Sequence, residues 1–324
     1  MGKKNRPRAL LIGGNGFIGS HLVDALLRGG YRVRVLDRQL ELFRKPVKGV
    51  EYLMGSFADL FTLREAVEGC EILVHLAHST IPALSLVHPE QEVLDSVSAF
   101  VNMINCFKKG RPKKIVYFSS GGAVYGNPAA LPVEEESRQE PISPYGVAKL
   151  MMEKYLVMFS HLYGLQYIIV RPSNPYGPRQ NYNGQQGAIP IFLKRMLRNE
   201  EIRIWGDGKS TKDYLYVADL AKAVVALMES GFDNATYNIG SAAGRSLNEM
   251  VALLAACCGC KARIRYEPAR PYDVNHVVLS HAKITRRTGW KPSTKLEDGV
   301  HETLRWIERQ MAADSATAHT NRAE

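Results

Sequence analysis

No uninterrupted apolar run approaches the roughly 18 residues that a membrane-spanning helix needs, so no membrane partner is expected. Cysteine is scarce. Cys70, Cys106, Cys257, Cys258 and Cys260 are an odd number with three crowded together, which suits a reducing compartment rather than a disulfide framework. No second ligand pair follows Cys257-Cys258-Gly259-Cys260 at zinc spacing, and the nine histidines form no ligand-spaced cluster, so no metal site is expected. The start, Met1-Gly2-Lys3-Lys4-Asn5-Arg6-Pro7, lacks the apolar core and cleavage site of a secretory signal, and residue 6 is not the Ser or Thr of a myristoylation signal. These absences point to a soluble cytoplasmic protein.

What is present is the composition of an ordinary globule: 45% hydrophobic and 23% charged residues in 324, about two typical domain lengths or one large α/β domain with an insertion. The net charge of +10 favours an anionic partner. The basic residues are scattered, with no nucleic-acid motif and no aromatic-interleaved patch, and charge alone does not choose between nucleic acid and a phosphorylated small molecule.

The first half alternates two periods. Short segments rich in Val, Ile, Leu and Tyr, namely 9–12, 32–36, 51–54, 72–76, 114–119 and 167–171, are apolar on both parities, as strands covered on both faces must be. Between them lie helical spacings such as Ile18, Leu22 and Leu26, closed by Gly29-Gly30. This β-α repetition predicts a parallel sheet with helices on both faces. After Arg171 the texture changes. Pro172, Pro175, Gly177, Pro178, Gly184 and Gly187 mark a domain junction and binding loop. Further helices are expected over 188–198, 219–230, 247–258 and 296–311, with a strand over 237–239. The stretch after Met311 has little hydrophobic content and reads as a disordered tail, 312–324.

Directly after the first strand stands Gly13-Gly14-Asn15-Gly16-Phe17-Ile18-Gly19, with glycines at 13, 16 and 19. Glycine permits positive φ and close backbone approach, and the helix that follows offers free N–H groups and a positive dipole end to a pyrophosphate. The position after a strand and at the start of a helix is what a dinucleotide loop requires. Asp37 ends the second strand, where a carboxylate can accept hydrogen bonds from an adenosine ribose and repel a 2′-phosphate, which leans towards NAD over NADP. The adjacent Arg38 works against that preference, because a guanidinium can hold a phosphate.

Ser143-Pro144-Tyr145-Gly146-Val147-Ala148-Lys149 puts Tyr145 and Lys149 four apart, on one face of a helix. A phenol is a poor base near neutrality. A lysine ammonium and a cationic nicotinamide beside it both favour the phenolate, and lowering its pKa by roughly three units needs about 4 kcal/mol. Tyr145 could then take a proton from a sugar hydroxyl while hydride leaves the carbon.

With these features in place, the chain resembles the extended short-chain dehydrogenase/reductase family, in its nucleotide-sugar epimerase/dehydratase branch. The resemblance runs from about Arg8 to Trp306. It rests on Gly13–Gly19, His75-Leu76-Ala77, Ser119-Ser120-Gly121-Gly122-Ala123-Val124-Tyr125-Gly126, the Tyr145/Lys149 pair, Arg171-Pro172-Ser173-Asn174-Pro175-Tyr176-Gly177-Pro178, and Trp205-Gly206-Asp207-Gly208 with Lys212-Asp213-Tyr214. It is closest to enzymes that interconvert UDP-glucose and UDP-galactose. The resemblance implies a doubly wound (Rossmann) NAD-binding domain over 7–172, with 213–240 returning to it, and a smaller C-terminal α/β substrate domain over 173–311. It implies NAD contacts from Gly13, Asn15, Gly16, Phe17, Ile18, Asp37, Arg38, Ser56, Phe57, Leu76, Ala77, Ser119, Tyr145, Lys149 and Pro172. A UDP-sugar would meet Asn174, Ala188, Ile189, Lys212, Arg270 and Asp273, and a homodimer would form through helices near Pro89–Lys108 and Tyr145–Tyr163.

The chain also departs from the family pattern. The family's catalytic Ser or Thr falls at Gly121. If the strand ends before it, Ser120 supplies the hydroxyl; if the strand continues, alternation points Ser120 away and makes Ser119 the candidate. The expectation adopted is Ser120. Lys212 stands where Arg is usual, offering a point charge instead of a fork. Ser56-Phe57 replaces an Asp-apolar pair at the adenine. Gly122-Ala123 replaces the Asp-Glu pair of 4,6-dehydratases, which disfavours dehydration. A C4 epimerase working through a transient 4-keto sugar is therefore expected, with an NAD(P)H-dependent 4-keto-sugar reductase as the alternative. Dinucleotide-sensing or nucleic-acid-binding regulators of this fold typically lose the Tyr/Lys pair, which this chain keeps.

Overall fold

Alternating apolar residues put one row of side chains on each face of every buried strand, and in the computed structural model those rows build two separate cores. The structure describes residues 6–78, 85–107, 112–184 and 186–320. In chain order the first elements are β1 (Arg8–Ile12), α1 (Phe17–Arg28), β2 (Arg32–Asp37), β3 (Val50–Met54), α2 (Leu60–Val67), β4 (Ile72–His75), α3 (Pro89–Glu92), α4 (Ala99–Asn105), β5 (Lys114–Phe118), α5 (Pro144–Tyr163) and β6 (Gln166–Pro172). A π-helical stretch, Val93–Ser98, joins α3 to α4. Then follow β7 (Asn174–Tyr176), α6 (Ala188–Leu197), β8 (Glu201–Trp205), β9 (Thr211–Tyr216), α7 (Val217–Ser230), β10 (Ala235–Ile239), β11 (Gly244–Ser246), α8 (Leu247–Cys258), β12 (Arg263–Glu267), β13 (His276–Val277), α9 (Ala282–Thr288) and α10 (Leu296–Thr320).

The main sheet is parallel throughout, in the order β10-β6-β5-β4-β1-β2-β3. Strand order reverses at β1, so the connections after β1 and β4 leave in opposite directions and open a crevice at their carboxyl ends, the usual place for a ligand in such sheets. Leu11, Val35, Val74, Val116 and Ile168 pack on Leu22 and Leu26 of α1 and on Leu220 and Val224 of α7. Leu10, Leu36, Leu73, Ile115 and Tyr117 face the other way, onto Phe100, Met103, Met152 and Leu156. Each such fully buried aliphatic side chain contributes about 1.5–3 kcal/mol of transfer free energy. This is the doubly wound α/β arrangement. Its strands lie within one or two residues of the sequence limits.

The second lobe has two small sheets. In one, β9 pairs with β7, β11 and β13; in the other, β8 pairs with β12. Helices α6, α8 and α10 cover them, Phe192, Leu193, Leu254, Trp306 and Ile307 packing in one core with Ile202 and Ile204 of β8. Of the stretch 213–240, α7 and β10 lie on the main sheet, whereas β9 belongs to the second lobe. Phe43, in the β2–β3 connection, crosses to the second lobe and sits edge-on to Trp306 at 5.0 Å. Helix α10 continues past Met311 to Thr320, which corrects the expected disordered tail over that range; residues 321–324 lie outside the described residues. Ala312, Ala313, Ala316 and Ala318 are strong helix formers, and the Tyr182 hydroxyl donates to the Asp314 carboxylate at 3.0 Å. Among the described residues no helix is long and apolar enough to cross a membrane.

Candidate functional site

A cleft of about 1350 Å³ runs from the glycine loop, past the start of α5, into the second lobe. Sixteen of the expected catalytic, cofactor and substrate residues line it: Gly13, Gly16, Phe17, Ile18, Leu76, Ser119, Ser120, Tyr145, Lys149, Pro172, Asn174, Ala188, Ile189, Lys212, Arg270 and Asp273. Asn15, Asp37, Arg38, Ser56, Phe57 and Ala77 do not. They follow β1, end or follow β2, or follow β3 and β4, beside the glycine loop.

The loop is built for close approach. Gly13 has φ +82°, and a Cβ there would lie 2.9 Å from the backbone nitrogen of Ala77. A Cβ on Gly19 would lie 2.4 Å from the Gly13 carbonyl oxygen. The N-cap of α1 is Gly16, which offers no side-chain acceptor, so the first N–H groups of the helix keep their capacity to bind an anion. The Asn15 N–H donates to the Asp37 carboxylate at 3.0 Å, and the Asn15 side chain donates to the Gln39 carbonyl at 2.7 Å. Leu76 and Ala77 both donate their N–H groups to the Ile12 carbonyl. Arg38 is exposed, and Phe57 packs edge-on against His75 at 5.0 Å. A glycine cradle, an uncapped helix N-terminus and a carboxylate ending β2 fit the pyrophosphate and ribose of a dinucleotide.

Tyr145 is positioned by the first turn of α5. Ser143 caps that helix by accepting the Gly146 N–H at 3.2 Å, Pro144 occupies the first turn, and the Tyr145 N–H donates to the Ser85 hydroxyl at 3.2 Å. One turn on, the Lys149 ammonium donates to the Phe118 carbonyl at 2.9 Å and lies 5.6 Å from the Tyr145 ring centroid. β5 ends at Phe118 and the chain turns, the Val124 N–H returning to the Ser120 carbonyl at 3.1 Å. The Ser120 hydroxyl is close enough to the Tyr145 phenol to hold its pKa down. Ser119 is buried, and its hydroxyl has no hydrogen-bond partner among the described residues.

Burial governs the charges here. It pushes the Tyr145 phenol up to about 12 against the opposing Ser120 hydroxyl, and it pulls the Lys149 ammonium down to about 7 against Glu92 and Glu153. Burial thus opposes the phenolate that Lys149 and a cationic nicotinamide together favour.

In the second lobe, the Arg270 guanidinium lies 4.2 Å over the Trp205 ring and is gripped by both oxygens of Asp273, at 2.8 and 3.1 Å. Asp273 therefore orients Arg270. Lys212 donates to the Val274 carbonyl, and burial lowers its pKa to about 8. The Asn174 amide donates to the Asp213 carbonyl at 3.1 Å. Lys212 and Arg270, with Arg195 and Arg203 also on the wall, make this end of the cleft cationic. Sequence reasoning missed His78, which lines the cleft beside Tyr145, and Glu92, its partner. Only the position of His78, directly after His75-Leu76-Ala77, gave a signal.

A model of the NAD dependent epimerase/dehydratase family matches residues 9–240. The chain is 30% identical to a UDP-glucose 4-epimerase of Mycolicibacterium smegmatis, covering 93% of this chain and 98% of that protein. Its fold superimposes on the crystal structure of UDP-glucose 4-epimerase with UDP-glucose from Thermotoga maritima with a TM-score of 0.89 at 35% identity, covering 94% and 99% of the two chains. The Thermus thermophilus UDP-glucose 4-epimerase in complex with NAD matches with a TM-score of 0.86 at 30% identity, covering 93% and 99%.

Proposed function

The chain belongs to the NAD dependent epimerase/dehydratase family, and we propose that within it the protein interconverts the C4 configurations of a UDP-sugar of the UDP-glucose/UDP-galactose type. One observation carries this reading. An acid/base candidate, Tyr145 with Ser120 and Lys149, sits in the same cleft as a glycine cradle at one end and a cationic wall at the other.

Epimerisation at C4 needs one group that takes the O4 proton and later returns it. Tyr145 has that role, and Ser120 donates to or accepts from the same oxygen as the charge changes. Lys149, held by the Phe118 carbonyl, presents its ammonium to the phenol ring. Bound NAD⁺ supplies the acceptor for the C4 hydride and a positive charge that favours the phenolate. The two phosphates rest on Lys212 and on Arg270, whose fork Asp273 fixes, so the 4-keto sugar can turn about an anchored diphosphate and offer its opposite face. Asn174, Ala188 and Ile189 line the same passage. No second acid or base stands where a dehydratase would need one. A Cβ on Gly122 would lie 3.8 Å from the Asn174 amide oxygen and 4.0 Å from the Ser120 hydroxyl, so this position faces the site without a functional group.

The partner proposed for the protein is a second copy of itself. Val147, Val157, Met158, Leu162 and Tyr163 of α5 and Val93 and Leu94 of the neighbouring helix are exposed, an apolar face suited to pairing across a two-fold axis. Light scattering should give twice the chain mass, and Met158→Asp with Leu162→Asp should halve it.

The test is conversion by protein purified without added nucleotide. UDP-galactose should yield UDP-glucose, and the denatured protein should release NAD. No conversion, with consumption of NADPH on a 4-keto nucleotide sugar, would replace this reading with the reductase.

A further inference from the structure

We propose that His78 and Glu92 form a positioning pair for Tyr145: the carboxylate holds the imidazole edge-on against the phenol ring, and its charge sets how readily that phenol exchanges a proton with substrate. The proposal rests on Tyr145 being the acid/base of the reaction.

The geometry is specific. The His78 ring lies 4.6 Å from the Tyr145 ring at an interplanar angle of 79°. Its Nε2 is 2.7 Å from a carboxylate oxygen of Glu92. Glu92 is fully buried at the end of α3, where the helix widens into the π stretch Val93–Ser98. π turns within helices often mark functional sites. A buried carboxylate costs several kcal/mol in desolvation, which a purely structural contact could avoid with an apolar residue of similar volume.

The charges facing this pair come from every side. α5 contributes Tyr145, Lys149 and Glu153, the last taken by a bidentate pair with Arg171 at 2.6 and 2.9 Å. β5 contributes Tyr117, the turn after it Ser120, and the end of β4 contributes His75. Burial and the nearby Lys149 hold His78 down to about 4, so it is neutral at physiological pH, with its Nε2 facing the Glu92 carboxylate at 2.7 Å. On this proposal Glu92 carries a negative charge. That charge favours the ammonium of Lys149 and the protonated form of Tyr145, opposing in one case and reinforcing in the other the effect of burial. Tyr145 must act as base in one half of the reaction and as acid in the other, and Glu92 biases it toward the acid.

The experiment is a tyrosinate ultraviolet difference titration of the NAD-loaded protein, with Tyr145→Phe as the blank, on wild type, Glu92→Gln, His78→Phe and His78→Gln. Removing the charge should lower the Tyr145 midpoint by about one unit in Glu92→Gln. His78→Phe should do the same, because a buried carboxylate that loses this polar neighbour is protonated more readily. His78→Gln keeps an N–H for Glu92 and should stay near wild type. An unchanged midpoint in Glu92→Gln, with only a loss of melting temperature, would overturn the proposal. If Glu92→Gln does not fold, equal midpoints in His78→Phe and His78→Gln would overturn it instead. The titration reads the coupling without turnover. Failure of the epimerase reading would show separately, as no conversion of UDP-galactose by the wild-type protein.

Discussion

Gly121 faces Leu279: a Cβ built on the glycine would lie 2.3 Å from Cδ1 of that leucine, and 3.1 Å from the carbonyl oxygens of Arg171 and Pro172. The position at which the family resemblance places a catalytic hydroxyl therefore points into packed core. The hydroxyl that reaches Tyr145 is that of the residue before it, Ser120.

Two substitutions separate these positions. Ser120→Ala should lower kcat by roughly 10–10²-fold with little change in stability, as loss of one hydrogen bond to the reacting oxygen does. Gly121→Ser should not raise activity. It should destabilise the fold by about 1–3 kcal/mol through overpacking against Leu279. Steady-state kinetics and urea unfolding of both variants check this.

Tyr145→Phe should lower kcat by about 10²–10⁴-fold, the usual contribution of a positioned acid/base. The NAD released on denaturation and the melting temperature should stay close to wild type. Loss of NAD alongside activity would show that the phenol holds cofactor rather than moving a proton.

Lys212 should give the substrate affinity an alkaline limit. Burial lowers its pKa from 10.5 to about 8 against the opposing charge of Asp273, so the side chain is cationic below that pH and neutral above it. KM for the nucleotide sugar should rise as pH passes about 8, with kcat at saturation less affected. Lys212→Arg, charged throughout this range, should flatten the profile.

Glu153→Gln should cost about 3–5 kcal/mol, because it strands the Arg171 guanidinium, which is nearly inaccessible and held by both Glu153 oxygens. Arg171 also donates to the Tyr125 hydroxyl at 2.7 Å, and that hydroxyl donates to the Asn238 side chain at 2.7 Å, so the damage should extend from α5 to β10. Denaturant unfolding measures it.

The readable parts of this molecule were local. The glycine loop, the Tyr145/Lys149 spacing and the buried strands each declare themselves within a few residues, because backbone approach, helix periodicity and two-sided burial act at short range. Ser120 could be named only conditionally, since the choice over Ser119 turned on whether β5 ends at Phe118. The strand β12, Arg-Ile-Arg-Tyr-Glu, escaped notice because it is largely exposed and half charged, and pairing with β8 rather than its own pattern makes it a strand. The His78–Glu92 contact joins two elements across a segment with no periodicity. The rise in the Tyr145 pKa was hidden for another reason: burial depends on the whole fold around the phenol.

The most direct test uses UDP-galactose carrying deuterium at C4, incubated in ordinary water with protein and no added cofactor. Reversible transfer at C4 beside Tyr145 predicts UDP-glucose that keeps the deuterium at C4. Loss of the label to solvent, or product only when NADH or NADPH is supplied, would contradict it.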